Sequence, residues 1–305
     1  MRETLGSPPD LATPEGARTV MRRFAVRPVK RFGQHFLVSR RALDQIVAAA
    51  ALSAADTVLE VGAGLGTLSQ ALASAAGRVT AVEIDRRLLP VLTETLGAYP
   101  TVRIVGGDML ALPAEDLFGG PRGAPRKVVA NLPYNIATPV LIRLLDPTLR
   151  VVRIIVTVQR EVADRITARP GTSAYGRLSI AVQFRGGASV VGRIPRGAFL
   201  PPPDVDSAIV CILPSPKPAV AVPDEAEFFR IVAAGFGQRR KMLQGALSHG
   251  LGLPADSVAS ACAASGVDAS ARAERVDLTG FAALAHALHP LLRERFPEPP
   301  RGRGV

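Results

Sequence analysis

Cysteine, histidine and lysine are all scarce in this sequence, and each shortage removes a class of function. The two cysteines, Cys211 and Cys262, lie far apart and make neither a disulfide framework nor a zinc motif. The four histidines, His35, His249, His286 and His289, are scattered. His286 and His289 could share a helix face, but that spacing suits a solvated helix end better than a metal site, so no metal is expected. No apolar run approaches the roughly 20 residues that a membrane span requires. The opening segment, MRETLGSPPDLATPEG, lacks the apolar core of a secretory signal. These shortages predict a cytoplasmic chain with no membrane partner. Only four of the 37 basic residues are lysines: Lys30, Lys127, Lys217 and Lys241. The rest are arginines, whose planar forks match phosphate geometry. Against 26 acidic residues the net charge is +11, and that sign favours a polyanionic partner. Taken alone, it fits a basic enzyme as well as a nucleic-acid binder.

What is present is a long alternation of buried strands and helices. With 305 residues, 48% of them hydrophobic, the chain can build one large domain and a small one. Residues 1–28 are rich in Pro, Gly and Arg without periodicity and read as a flexible N-terminal tail. Met21 is a conceivable alternative start. Ser39 can cap a helix over RRALDQIVAAAAL, with Leu43, Ile46, Val47 and Ala50 on one face. TVLEVGAG, RVTAVEID, VRIVGGDML, RKVVANLPY and VRIIVTVQ then read as strands, with helical segments between them. Such repetition implies a mostly parallel sheet covered by helices on both faces. GRLSIAVQFRGGASVVGRI and DSAIVCILP look like closing strands. This places an α/β, Rossmann-like domain over residues 29–214. Beyond SPKPAVAVPDE only helical periodicity remains. A small all-α domain is expected over 222–296, its last helix capped at Thr279 with a stripe of Phe281, Leu284, Leu288 and Leu291. Residues 297–305 read as a second tail.

The glycine loop narrows the chemistry. LEVGAGLGTL sets Gly62, Gly64 and Gly66 between a strand and a helix, where backbone can approach a ligand closely. A dinucleotide fingerprint would place its third glycine at position 67, which is threonine, and the Gly-Lys-Ser/Thr ending of a phosphate loop is missing. Glu60 before the loop opposes a polyphosphate and suits a ligand with a cationic end, such as the amino acid part of S-adenosylmethionine. Glu83 closes the second strand 21 positions after Gly62, where a ribose diol acceptor is expected. Asp108 closes the third strand and could accept from an adenine exocyclic amine. Each acid alone is more simply a cap or turn residue. Three at successive strand ends converge on one crevice, which predicts S-adenosylmethionine binding.

The fourth strand ends in Asn131-Leu132-Pro133-Tyr134. This resembles the N-P-P-Y-type signature of methyltransferases acting on exocyclic amines of adenine. Such an amine is a poor nucleophile because its lone pair is delocalised into the ring. The Asn131 side-chain carbonyl and the Leu132 or Pro133 backbone carbonyl can accept both its hydrogens and stabilise the growing positive charge. Tyr134 can stack on the base, worth roughly 1–3 kcal/mol, against the few kcal/mol spent extruding it. Proline shapes the turn and offers no competing N–H.

The ordered motifs KRFGQHFL (30–37), LEVGAGLGTL (59–68), VEIDR (82–86), NLPYNIATP (131–139), QREVADRITARPG (159–171), YGRLS (175–179), FLPPPDVDSAIV (199–210) and FGQRRKML (236–243) together resemble the KsgA (RsmA) family of rRNA adenine dimethyltransferases. The resemblance implies a seven-stranded methyltransferase domain. It also implies conversion of two adjacent adenines near the 3′ end of small-subunit (16S) rRNA to N6,N6-dimethyladenosine, with a role in late small-subunit assembly. The implied cofactor contacts are His35, Leu37, Gly62, Gly64, Glu83, Asp108 and Asn131. His35 departs from the family, which usually has asparagine in GQNFL. Arg160 and Arg165, with Arg169, could contact phosphates or line a solvated helix face. Phe199 could wall the base slot or simply pack in the core. Arg239, Arg240 and Lys241 could bind rRNA or pair with local acids. The partner expected is rRNA within the immature small subunit, met by a monomer. A related 23S rRNA methyltransferase of the macrolide-resistance type, or a chiefly non-catalytic assembly factor, are the alternatives.

Overall fold

A computed structural model of the chain describes residues 9–119, 123–238 and 240–295. In chain order it runs through α1 (Pro14–Arg23), β1 (Phe36–Leu37), α2 (Arg40–Ala50), β2 (Thr57–Val61), α3 (Thr67–Ala73) and β3 (Arg78–Glu83). It continues with α4 (Leu89–Thr95), β4 (Val102–Gly106), α5 (Ala114–Leu117), β5 (Arg126–Asn131), α6 (Ala137–Leu144), β6 (Val151–Gln159) and α7 (Arg160–Ile166). Then come α8 (Arg177–Arg185), β7 (Gly186–Ile194), β8 (Phe199–Leu200), β9 (Ser207–Pro214), α9 (Glu225–Gly237), α10 (Leu243–Leu251), α11 (Ala255–Ser265) and α12 (Leu278–Arg295).

Seven strands form one sheet in the order β4-β3-β2-β5-β6-β9-β7. The pairs β3–β4, β2–β3, β2–β5 and β5–β6 are parallel, and β6–β9 is antiparallel. Every residue of β2 is buried, as a strand covered on both faces requires. The chain steps outward from β2 through β3 to β4, then returns to β5 on the other side of β2. Connections therefore diverge at the carboxyl ends of β2 and β5, where a crevice is expected. A separate antiparallel pair, β1 and β8, joins Phe36 to Leu200 and Leu37 to Phe199. Ser39 caps α2 as expected, accepting from the Ala42 N–H at 3.4 Å. The predicted face is buried through Leu43, Ile46 and Ala50, with Val47 half-buried beside them.

Two compact units result. One holds the described residues through Ala163 together with Gly187–Pro216; the other holds Asp164–Gly186 and the described chain from Lys217 onward. The helical unit thus takes in α8, a segment that alternation assigns to a closing strand. Leu178, Ile180, Val182 and Phe184 do alternate, but Ser179 and Ala181 between them are buried too. A helix buried on most sides has no polar face to impose its own period. The Gly176 N–H donates to Ser179 Oγ at 3.1 Å at its start, and glycines 186 and 187 follow it. Phe184 stacks on Phe228 at 4.8 Å between centroids and meets Phe229 edge-on at 5.2 Å.

Residues 9–28 also differ from the expected tail, whose first eight residues lie outside the described ones. Thr13 caps α1 by accepting from the Gly16 N–H at 3.1 Å, and Pro14 sits in its first turn. Leu11, Ala17 and Val20 pack with Phe36, Leu65, Leu88 and Val91. The segment reads as loose because its buried apolar residues, Leu11, Ala12, Ala17, Val20 and Val26, are mostly small and irregularly spaced among arginines. The last helix is capped by Asp277, which accepts from the Gly280 N–H at 2.7 Å, and not by Thr279. Its buried stripe is Phe281, Leu284, Leu288 and Leu292, with Leu291 half-buried at its margin. The tail expected at 297–305, and residue 296 of the expected helical domain, lie outside the described residues. Among the described residues no helix is long and apolar enough to cross a membrane.

Candidate active site

The glycine loop leaves β2 through Gly62 with φ +76° and Gly64 with φ +61°. A Cβ at Gly62 would lie 3.2 Å from the Pro133 ring, and one at Gly64 3.0 Å from the Phe36 ring. Both the left-handed backbone and the close approach require glycine. The loop is thereby wedged between the Asn131–Tyr134 turn and the strand β1. Glu83, at the end of β3, holds it there. The Gly64 N–H donates to Glu83 Oε2 at 2.8 Å, and the Asp85 N–H donates to Oε1 at 2.9 Å. Each carboxylate oxygen keeps a second lone pair. Burial raises the Glu83 pKa, against the pull of these two amides.

Glu60 is 1% exposed and accepts from the Ser69 hydroxyl at 2.5 Å. Burial pushes its pKa up to about 8, the Ser69 hydrogen bond opposes the rise, and Glu83 nearby adds to it. Two carboxylates in one enclosed place favour a ligand that brings positive charge. Asp108 follows β4, half-buried, and its Oδ1 accepts from the Leu110 N–H at 2.9 Å in a tight turn. These residues line one cleft of about 830 Å³ together with His35, Leu37, Asn131, Leu132, Pro133 and Tyr134. The cleft sits at the carboxyl ends of β2 and β5, as the strand order requires.

Asn131 closes β5 opposite Thr157 of β6. Its Nδ2 donates to the His35 carbonyl at 3.0 Å, which fixes the orientation of the amide. Its Oδ1 is then left buried without a hydrogen-bond partner. A buried acceptor in that state is costly, and functional sites are where such atoms persist. Leu132 is buried and its N–H donates to the Thr157 carbonyl at 3.1 Å. The Pro133 carbonyl closes the turn by accepting from the Ile136 N–H at 3.2 Å. Tyr134 lies with its hydroxyl 2.7 Å from Ser207 Oγ and its ring stacked on His35.

Comparison with known proteins fits this geometry. The family model for ribosomal RNA adenine dimethylase matches residues 27–286. The chain belongs to that family. The ribosomal RNA small subunit methyltransferase A of Geobacillus thermodenitrificans (strain NG80-2) is 42% identical over 292 residues, which cover 93% of this chain and 99% of the relative. The protein of the same description from Bacillus mycoides (strain KBAB4) is 41% identical over 92% of this chain and 97% of its own. Among solved structures, a dimethyladenosine transferase from Plasmodium falciparum shares the fold with TM-score 0.67 at 24% identity, covering 83% of this chain and 97% of its own. The 23S rRNA methyltransferase ErmE aligns with TM-score 0.61 at 26% identity, over 83% of this chain and 99% of its own.

The residues expected on the substrate side of this rRNA adenine dimethylase are not all drawn to the cleft. Phe199 is 2% exposed and packs in the core under the sheet, paired with Leu37. It does not line the cleft. The aromatic residues that do are Phe32 and Phe36 beside Tyr134. Phe32 stands in the quoted KRFGQHFL motif, so its position was on view, but nothing in spacing separates a slot wall from a core phenylalanine. Arg160 is exposed at the start of α7, its N–H donating to the Asp206 carbonyl at 3.1 Å. Arg165, Arg240 and Lys241 belong to the helical unit. Arg165 is half-buried, while Arg240 and Lys241 are exposed. Arg239 lies outside the described residues. Gln34 is a further residue that composition did not single out. It donates to Asp85 Oδ2 at 2.9 Å and accepts from the Val29 N–H at 2.8 Å, tying the N-terminal segment to the end of β3. The Arg87 guanidinium beside Asp85 holds that carboxyl well below the usual range. His289 is engaged with Glu227 at 2.6 Å. Among the described residues no group of three or more His, Cys, Asp or Glu could hold a metal ion.

Proposed function

We propose that this chain transfers methyl groups from S-adenosylmethionine to N6 of two adjacent adenosines near the 3′ end of 16S rRNA, giving N6,N6-dimethyladenosines. The observation that carries this reading is Asn131 Oδ1, a buried acceptor without a partner at the end of β5, in the cleft formed with the glycine loop. An exocyclic amine offers that acceptor a hydrogen. The backbone carbonyls of Leu132 and Pro133 are the candidates for the second, and Leu132 is favoured because Pro133 already closes the turn to Ile136. Accepting both hydrogens pulls the amine toward a pyramidal form and stabilises the charge growing on its nitrogen. Tyr134 stacks on the base and holds it in line, so positioning carries most of the rate.

The cofactor side fits S-adenosylmethionine. Gly62 and Gly64 would lie against it, with Glu83 toward the ribose, Asp108 toward the adenine amine and Glu60 toward the cationic amino acid end. His35, Leu37 and Asn131 would complete the wall. S-adenosylmethionine supplies a methyl group already activated by its sulfonium, so the chain need provide no nucleophile. The substrate is read as rRNA within the immature small subunit, bound by a monomer in the cytoplasm. The first unit would carry the chemistry and the helical unit would share in holding the RNA, through Arg165, Arg239, Arg240 and Lys241, with Arg160 of the first unit.

The test is transfer of labelled methyl groups from S-adenosylmethionine to unmodified small subunits, unmodified large subunits and DNA offered separately. The expected result is label on the small subunit, recovered as N6,N6-dimethyladenosine. Label on the large subunit instead would move the chain to the branch of ErmE. Tight small-subunit binding with no label anywhere would leave an assembly factor that keeps its cofactor fold.

A further inference from the structure

His35 has three separate engagements around the N-L-P-Y turn, two through its imidazole and one through its backbone. Its ring stacks on Tyr134, with centroids 5.1 Å apart and planes at 26°. Its Nδ1 lies 2.8 Å from the Pro201 carbonyl. A carbonyl can only accept, so Nδ1 carries the proton there. Its own carbonyl accepts from Asn131 Nδ2 at 3.0 Å. One residue thus touches both ends of the signature turn and the proline-rich turn after β8.

We propose that His35 is a positioning residue that braces Tyr134 and the Pro201 turn, so that the target adenine stacks on the ring face of Tyr134 that the imidazole leaves open. The inference rests on the adenine methyltransferase reading of the cleft. Tyr134 is already held at its hydroxyl, 2.7 Å from Ser207 Oγ. A phenol held only at that end can still rock about the ring axis. The imidazole removes that freedom, and its bond to Pro201 keeps the imidazole itself from turning. The contact with Asn131 goes through the His35 backbone. Replacing the side chain therefore leaves the amide of Asn131 held, and separates loss of the brace from loss of the amine acceptor.

The experiment compares the full chain with His35→Ala, His35→Phe and His35→Asn. The ring-proton resonances of Tyr134, assigned with Tyr134→Phe, report the stack without any substrate. Loss of the imidazole should shift them in His35→Ala and His35→Asn, because a stacked ring no longer lies over them. In single turnover on unmodified small subunits, His35→Ala should lose about tenfold or more in rate, as small misplacements of a reacting group do. The rate is read at saturating S-adenosylmethionine, so that the place of His35 in the wall of the cofactor cleft does not enter it. His35→Phe restores a stacking ring without the bond to Pro201 and should recover part of the rate lost by His35→Ala. Unshifted Tyr134 resonances in His35→Ala would overturn the proposal. So would a loss that lies in cofactor affinity with the turnover rate intact, which would make His35 a cofactor ligand. A wild-type chain that labels no small subunits would instead overturn the reading of the cleft, while the Tyr134 resonances would still decide the brace.

Discussion

At the scale of single residues, the cleft is built on two polar groups kept in unfavourable places. Asn131 Oδ1 is buried and unpartnered, while the other end of the same amide is fixed on the His35 carbonyl. Asn131→Ala should therefore cost on the order of 10²–10³ in turnover, as loss of one preorganised transition-state partner does. Small-subunit binding should stay largely intact, and near-normal turnover at saturating cofactor would remove Asn131 from the chemistry. Glu60 is the second. Its folded pKa of about 8 lies above the ordinary carboxylate value. Between those two values the folded chain binds a proton that the unfolded chain releases, so ligand-free stability falls as pH rises from about 4.5 toward about 8, with a slope of at most about 1.4 kcal/mol per pH unit for one group. Glu60→Gln should remove this part of the slope in urea titrations at pH 6 and pH 8 and leave the Glu83 part in place. It should also flatten a rise of S-adenosylmethionine affinity with pH, because a cationic ligand binds best to the ionised carboxylate. The acids, the glycines and the N-L-P-Y turn were legible in the sequence, since strand ends, glycine spacing and residue chemistry all converge on them. The brace of His35 on Tyr134 was not, because a ring contact between residues 35 and 134 has no local signature. Phe199 stayed open between a slot wall and the core, because a proline-flanked phenylalanine looks alike in both.

At the scale of elements, the cleft depends on a helix that the sequence disguises. α1 and the turn before it put Ala17, Val20 and Leu11 against Phe36 and Leu65, which themselves line the cleft. Leu11 is 1% exposed. Leu11→Ala should cost about 2–5 kcal/mol of stability, the usual range for a buried leucine truncated in a core, read as a lower urea midpoint. A chain begun at Met21 would lack Asp10, Thr13 and the buried Leu11, Ala12, Ala17 and Val20. It should be destabilised by at least as much and bind S-adenosylmethionine more weakly, because Phe36 and Leu65 lose their backing. Equal midpoints for the two chains would return residues 9–20 to the status of a tail. The parallel strands and α2 were readable, because their burial is continuous or one-sided and the pattern follows it. α1 and α8 were not. In α1 the anchors are too few to make a periodic stripe. In α8 the apolar residues fall at every second position while tertiary burial covers the residues between them, so pattern and structure part company.

At the scale of the whole molecule, a net charge of +11 favours a polyanionic partner, and the described cations divide between two units. The helical unit offers a turn built to present charge. α9 ends at Gly237, the Lys241 N–H donates to the Gln238 carbonyl at 3.0 Å, and α10 does not begin until Leu243. Arg240 and Lys241 are therefore held outside both helices and exposed, on a base stiffened by Phe236 stacked on Phe281 at 5.7 Å. The basic cluster was legible in the sequence but the turn that carries it was not, since arginine and lysine are good helix formers and no breaker stands between Gly237 and Leu243. If the turn neutralises rRNA phosphates, Arg240→Ala combined with Lys241→Ala should lessen the salt dependence of small-subunit binding. The slope of log affinity against log salt should fall in magnitude by roughly one to two units, because each lost phosphate contact no longer releases counterions. Binding of S-adenosylmethionine should not change, since neither residue lines the cleft of the first unit. Weaker binding with an unaltered slope would mean that the two cations act through local acids and hold the helical unit together, and the phosphate contacts would then have to be sought on other basic residues.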